Sequence, residues 1–170
     1  SQIAQAFTDQ SLSSQKTLLG KAISLKKNGN FLSAISLLKD GLILFPKQAE
    51  IKALLSDCYN LVLTKKIELQ QFGESILILK DLINISPRDE KHHLNMSFCF
   101  QQLSQFDQAL EALKSALIIN PRLAEAYASM AFIYKNQGNL IQAVEAYEAA
   151  LSIKPEAKYY YNLGNALRDQ

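Results

Sequence analysis

The sequence predicts an all-α fold built from repeated helical hairpins, and three observations carry that prediction. Between Pro121 and Pro155, apolar and small residues recur at helical spacing in two runs. Ala124/Tyr127/Met130/Ala131/Tyr134 and Leu140/Ala143/Val144/Tyr147/Ala150 lie on either side of a Gly138-Asn139 break. Pro87, Pro121 and Pro155 stand 34 residues apart, and Pro46 stands 41 before Pro87, so the hairpin repeats and one copy carries seven extra residues. No stretch shows the two-residue alternation of a strand.

Taken in order, residues 1–13 are read as a lead-in in which Ile3, Ala4 and Phe7 form one turn over the end of the array. The first repeat spans residues 14–46. Leu18, Ala22 and Leu25 mark one helix, Asn28-Gly29-Asn30 the break, and Phe31, Ala34, Leu38 and Gly41 the next. The second spans 49–87. The turns GNFLSA (29–34), QQFGES (70–75), SQFDQA (104–109) and GNLIQA (138–143) align, so its excess lies within Asn60 to Leu69. Seven residues are about two helical turns, enough to displace a helix end by roughly 10 Å. Either both helices lengthen slightly or a loop bulges out, and the favoured expectation is a protruding elbow near Leu63 to Glu68.

The third repeat, 90–121, carries His93, Met96, Ser97 and Phe100, then Ala109, Leu113 and Ala116. The fourth spans 124–155. Residues 157–170 place Tyr160, Leu163, Gly164 and Leu167 as the first helix of a fifth. That helix has no following partner, so its stripe predicts either continuation of the chain beyond Gln170 or self-association through the C-terminal helix.

These residues resemble the tetratricopeptide repeat, the 34-residue helix-turn-helix unit with small and aromatic residues at fixed places and a closing proline. The resemblance implies a right-handed α-solenoid of stacked antiparallel helix pairs, about four units plus the first helix of a fifth. Small residues at Ala22, Ser56, Ser97, Ala131 and Gly164 would let paired helices approach. Departures are Lys21, Lys52 and Leu82, where the family usually has an apolar, an aromatic and a small residue respectively. The C-terminal segment YYYNLGNALRDQ is similar to the arrays of O-linked N-acetylglucosamine transferase-like and other multi-repeat proteins.

Composition excludes several classes of function. Eighteen basic and sixteen acidic residues leave a net charge of +2, with no basic stripe to hold nucleic acid or an anionic membrane. No run of 18 apolar residues is present, and the first 20 residues lack a signal-peptide pattern, which sets a cytoplasmic location as the expectation. Cys58 and Cys99 follow Ser56 and Ser97 by two residues at equivalent places in neighbouring repeats, too far apart for a disulfide, and are read as buried free thiols. His92 and His93 point about 100° apart with no ligand-spaced partner, so no metal is expected; His93 is read as a packing residue and His92 as solvated. No nucleophile elbow, P-loop, CxxC or HExxH motif occurs, and neither an enzymatic activity nor a cofactor is expected.

What remains is a surface. In tetratricopeptide arrays the first helices line a concave groove, and the resemblance implies that a protein or peptide ligand binds there. The groove residues expected are Lys91, Asn95, Phe98 and Gln101, then Ser129, Phe132 and Lys135, then Lys158, Tyr161, Asn162 and Asn165. Lys16, Leu19, Ile23 and Lys26, with Ala53, Asp57 and Asn60, occupy the matching places in the first two repeats. The carboxylate clamp of heat-shock co-chaperones is missing, since Leu19, Ile23, Leu94 and Phe98 stand where it needs Lys and Asn. An asparagine ladder is matched at Asn95 and Asn162, shortened at Ser129 and broken at Gly20 and Leu54. The resulting expectation is a protein-interaction scaffold; the alternative is the substrate-recruiting arm of a larger glycosyl- or sulfotransferase-type enzyme.

Overall fold

The structure, a computed structural model, describes the backbone of residues 2–170 and the side chains from Gln10 onward. The proposed cover by Ile3, Ala4 and Phe7 lies outside the described side chains. The described residues form nine helices: α1 Gln2–Lys27, α2 Phe31–Leu44, α3 Ala49–Glu68, α4 Phe72–Ile85, α5 Glu90–Gln102, α6 Phe106–Ile119, α7 Ala124–Asn136, α8 Leu140–Ile153 and α9 Ala157–Asp169. Among them there is no strand. The chain divides into two compact units, residues 1–69 and 70–170.

The even-numbered helices share one pattern that explains why they fold and where they pack. Ala34, Ser75, Ala109 and Ala143 are buried at the same place in each, followed four residues later by a large buried side chain, Leu38, Leu79, Leu113 or Tyr147. Seven residues on come Gly41, Leu82, Ala116 and Ala150, all buried. Spacing of four and seven keeps the set on one face, and the small first residue brings the neighbouring helix close. Gly41 shows how close. A Cβ there would meet Leu18 Cδ1 at 2.7 Å, so α1 lies against the backbone of α2.

Each hairpin turn ends its first helix with one residue in the left-handed region. Gly29 and Gly138 have φ of 76° and 77°, and Gln70 and Ser104 hold the same place with φ of 57°. In three of the turns the following residue donates its N–H back five positions, Asn30 to Leu25, Gln105 to Phe100 and Asn139 to Tyr134. This is the Schellman closure, which satisfies carbonyls the helix end would leave unpaired. The second helices stop shortly before Pro46, Pro87, Pro121 and Pro155, where the chain cannot continue helically.

In the first unit the core comprises Ala22, Ala34, Ile35 and Leu38 with Ile51, Leu55, Cys58 and Leu63. The predicted elbow is absent. α3 runs unbroken for 20 residues against 13 in α5 and α7, so the seven added residues form two further helical turns. The reason lies in their composition: Leu61 to Glu68 contains no Gly or Pro, and Leu63 continues the buried stripe at 3% exposure. In the second unit, Ala109, Leu113, Ala126 and Ile133 form one core across α6 and α7, with Leu94 and Phe100 of α5 packed on it. Ala131, Ala143, Ala146, Tyr147 and Ala166 form another across α7, α8 and α9.

Candidate protein-binding face

The odd-numbered helices of the second unit place the expected groove residues on their outer side. On α5, Lys91, Asn95 and Phe98 are exposed and Gln101 is half-buried, its amide donating to Ser97 Oγ at 3.1 Å. On α7, Phe132 is exposed while Ser129 and Lys135 are half-buried. On α9, Lys158 and Tyr161 are exposed and Asn162 and Asn165 half-buried. Three aromatic rings therefore meet solvent, Phe98 at 43%, Phe132 at 49% and Tyr161 at 72%. Phe98 and Phe132 occupy equivalent places one repeat apart, and Tyr161 stands about one turn nearer the start of its helix.

The first helices are neighbours on this side. Leu94 of α5 packs on the cluster that holds Ala126 and Ile133 of α7, and Ala128 of α7 packs on the cluster that holds Tyr159 of α9. Lys135 Nζ reaches Asp169 of α9 at 3.0 Å, and that contact, the largest influence on the carboxyl, holds Asp169 below its usual range. Lys158 pairs with Glu156 at 2.9 Å, and its Nζ lies 4.9 Å from the Tyr159 ring centroid. In the first unit, the matching places Lys26 on α1 and Asp57 on α3 form an ion pair at 2.9 Å.

Sequence reasoning missed two partners of this face. Phe72 of α4 meets Phe98 edge-on at a centroid separation of 6.0 Å and an interplanar angle of 81°. Its signal was the aromatic residue that opens α2, α4 and α6 but not α8. Asp169 was read only as part of the first helix of a fifth repeat, with no partner assigned. His92 corrects a further expectation: it is buried, not solvated. It shares its place on the first helix with Ile51, Ala126 and Tyr159, all buried, and lies 3.6 Å from the Asp89 carboxylate. Burial pushes its imidazole below the ordinary value, with Asp89 opposing. Asp89 also caps α5 by accepting from the Lys91 N–H at 3.1 Å.

Both cysteines are buried and free. Burial pushes the Cys99 thiol up to about 11 against a lowering hydrogen bond with Ser75, so it is protonated at neutral pH. His93 is half-buried and lines a groove of about 590 Å³ with Met96, Phe100 and Glu111, whose carboxylate is already paired with Lys114 at 2.7 Å. No group of three or more potential metal ligands occurs among the described residues, and no helix there is long and apolar enough to cross a membrane.

The tetratricopeptide family model matches residues 124–156, which are α7, the Gly138 turn and α8. Those residues are a tetratricopeptide repeat. Solved structures extend the tetratricopeptide fold over the other helix pairs. MamA is 23% identical, with 86% of this chain and 82% of that chain covered at a TM-score of 0.62. The first tetratricopeptide domain of Spaghetti (RPAP3), bound in that structure to the HSP90 peptide SRMEEVD, is 17% identical, with 66% and 90% covered and a TM-score of 0.62. The tetratricopeptide domain of Arabidopsis OM64 is 15% identical, with 68% and 96% covered and a TM-score of 0.63. No curated protein matches the chain. The fold class is thus the all-α solenoid of stacked antiparallel helix pairs.

Proposed function

We propose that the chain is a protein-interaction scaffold that takes an extended peptide or a partner helix along the groove formed by α5, α7 and α9. The observation that carries this reading is the exposure of Phe98, Phe132 and Tyr161 on three successive first helices. Rings held on rigid helices supply large contact area at little entropic cost, and such anchors carry most of the energy of an interface. Between them, Asn95, Gln101, Ser129, Asn162 and Asn165 offer amides and a hydroxyl to a ligand backbone, with Lys91 and Lys158 at the margins. The tetratricopeptide match at residues 124–156 and the peptide-bound tetratricopeptide domain among the structural neighbours support the same reading. It includes a cytoplasmic setting, to which two unpaired buried thiols are suited.

The test begins with an immobilised full chain, mass spectrometry of the proteins retained, and a synthetic peptide from the best of them. Phe132→Ala and Tyr161→Ala should each weaken that peptide by roughly 1 kcal/mol or more, about five-fold or greater, with the melting midpoint unchanged. Phe98→Ala should lose affinity and some stability together, because Phe98 also packs on Phe72. Unchanged affinity in all three variants would remove the aromatic face from the function.

A further inference from the structure

The two added turns of α3 build a second surface. Lys65 and Lys66 lie in the last turn of α3, which runs for 20 residues against 13 in α5 and α7, and Leu69 caps its end. With Leu61 they face the first residues of α2, Phe31 and Leu32, across a groove of about 440 Å³ that lies wholly within the first unit. Phe31, Leu32, Leu61, Val62 and Leu69 give it an apolar part that is open to water. Leu32 is 73% and Leu69 59% exposed, and Leu61 is exposed beside them. A lone exposed leucine is ordinary, but three converging on one groove mark a contact site.

Charge selects the occupant. Lys65 and Lys66 line the groove and no acidic residue does. Lys65 has no ion-pair partner among the described residues. Glu68, in the same turn, is outside the lining. We propose that this groove docks an acidic segment of a partner protein whose aliphatic or aromatic side chains cover Leu32, Leu61 and Leu69 while its carboxylates meet Lys65. The site is separate from the face of α5, α7 and α9 and goes beyond the reading given for it.

A library of random peptides of about 12 residues, displayed on phage, tests the proposal when panned on the full chain and counter-selected on a Leu32→Ser/Lys65→Glu variant. Both side chains are exposed, so the variant should keep the helical circular dichroism of the parent. The expected survivors interleave Asp or Glu with Leu, Ile or Phe. A labelled synthetic copy of the best survivor should bind about ten-fold more weakly to Lys65→Glu and to Leu32→Ser, and as well as before to Phe132→Ala. Its affinity should fall as salt rises from about 50 to about 200 mM, and a copy with its acids changed to lysine should recover binding to Lys65→Glu. Survivors without acidic enrichment, no survivors at all, or affinity lost on Phe132→Ala instead of Leu32→Ser would overturn the proposal. So would binding of the chain to phosphatidylserine vesicles in the absence of any selected peptide.

Discussion

Replacing Ser104 by glycine should stabilise the protein, although it removes atoms. Ser104 is held at φ 57°, where its Cβ crowds the backbone and costs on the order of 1–2 kcal/mol. Glycine removes that strain but brings a more flexible unfolded chain, which returns about 0.5–1 kcal/mol. The net expectation is a gain of about 0.5–1 kcal/mol, or a rise of about 1–4 °C in melting midpoint for a chain of this size. Gly138 supplies the mirror experiment. It holds the same place at φ 77°, and an added Cβ would meet nothing within 4 Å, so the cost of Gly138→Ala is backbone strain alone, about 1 kcal/mol. Ser104→Ala keeps the Cβ and should leave the midpoint close to the parent's. Thermal melts followed by far-UV circular dichroism on the three variants decide the matter. A midpoint that falls on Ser104→Gly, or that stays fixed on both glycine exchanges, would refute the claim that this turn position is set by the left-handed backbone.

Two further changes address the interior. Ala143 is fully buried between Ala131, Tyr147 and Ala166, so Ala143→Leu should overpack the α7–α8 hairpin and cost about 1–3 kcal/mol in urea unfolding; an unchanged midpoint would contradict that packing. Acid should destabilise the protein through His92, whose folded-state pKa lies below the unfolded value of about 6.5. The unfolded chain then binds the extra proton, so stability is full above about pH 6.5 and falls as pH drops toward the folded-state pKa. Urea midpoints at about pH 7.5, 6.5 and 5.5 should decline in that order and decline less in His92→Leu; a flat parental series, or one the variant leaves unaltered, would count against it.

The hairpin architecture was legible because its determinants are local. Prolines end the second helices, a glycine or its stand-in ends the first, and Ala, Leu or Tyr recur at fixed steps between them. The insertion was misread because a length excess does not say whether a helix or a loop absorbs it. The deciding signal is a segment from Leu61 to Glu68 without a breaker and with Leu63 still in phase. His92 was misjudged as one of an adjacent pair, when alignment with Ile51 and Ala126 at the same helical place would have put it inside. The outward positions of Phe98, Phe132 and Tyr161 follow from periodicity. The pairing of Lys135 with Asp169 does not, because it joins residues of successive repeats and depends on the reach of one long side chain.

That pairing carries a consequence for selectivity. Lys135 is answered by an aspartate from the next first helix, as Lys26 is answered by Asp57 in the other unit, so each cation already has an internal competitor. A ligand carboxylate arriving at Lys135 must evict Asp169 and gains only the difference between two similar ion pairs. Acidity alone therefore earns little discrimination along α7 and α9. If the proposed ligands bind there, stacking on rings and matching of amides would sort them, whereas Lys65, with no such competitor, would leave acidity as the criterion for the segment proposed at the α2–α3 groove.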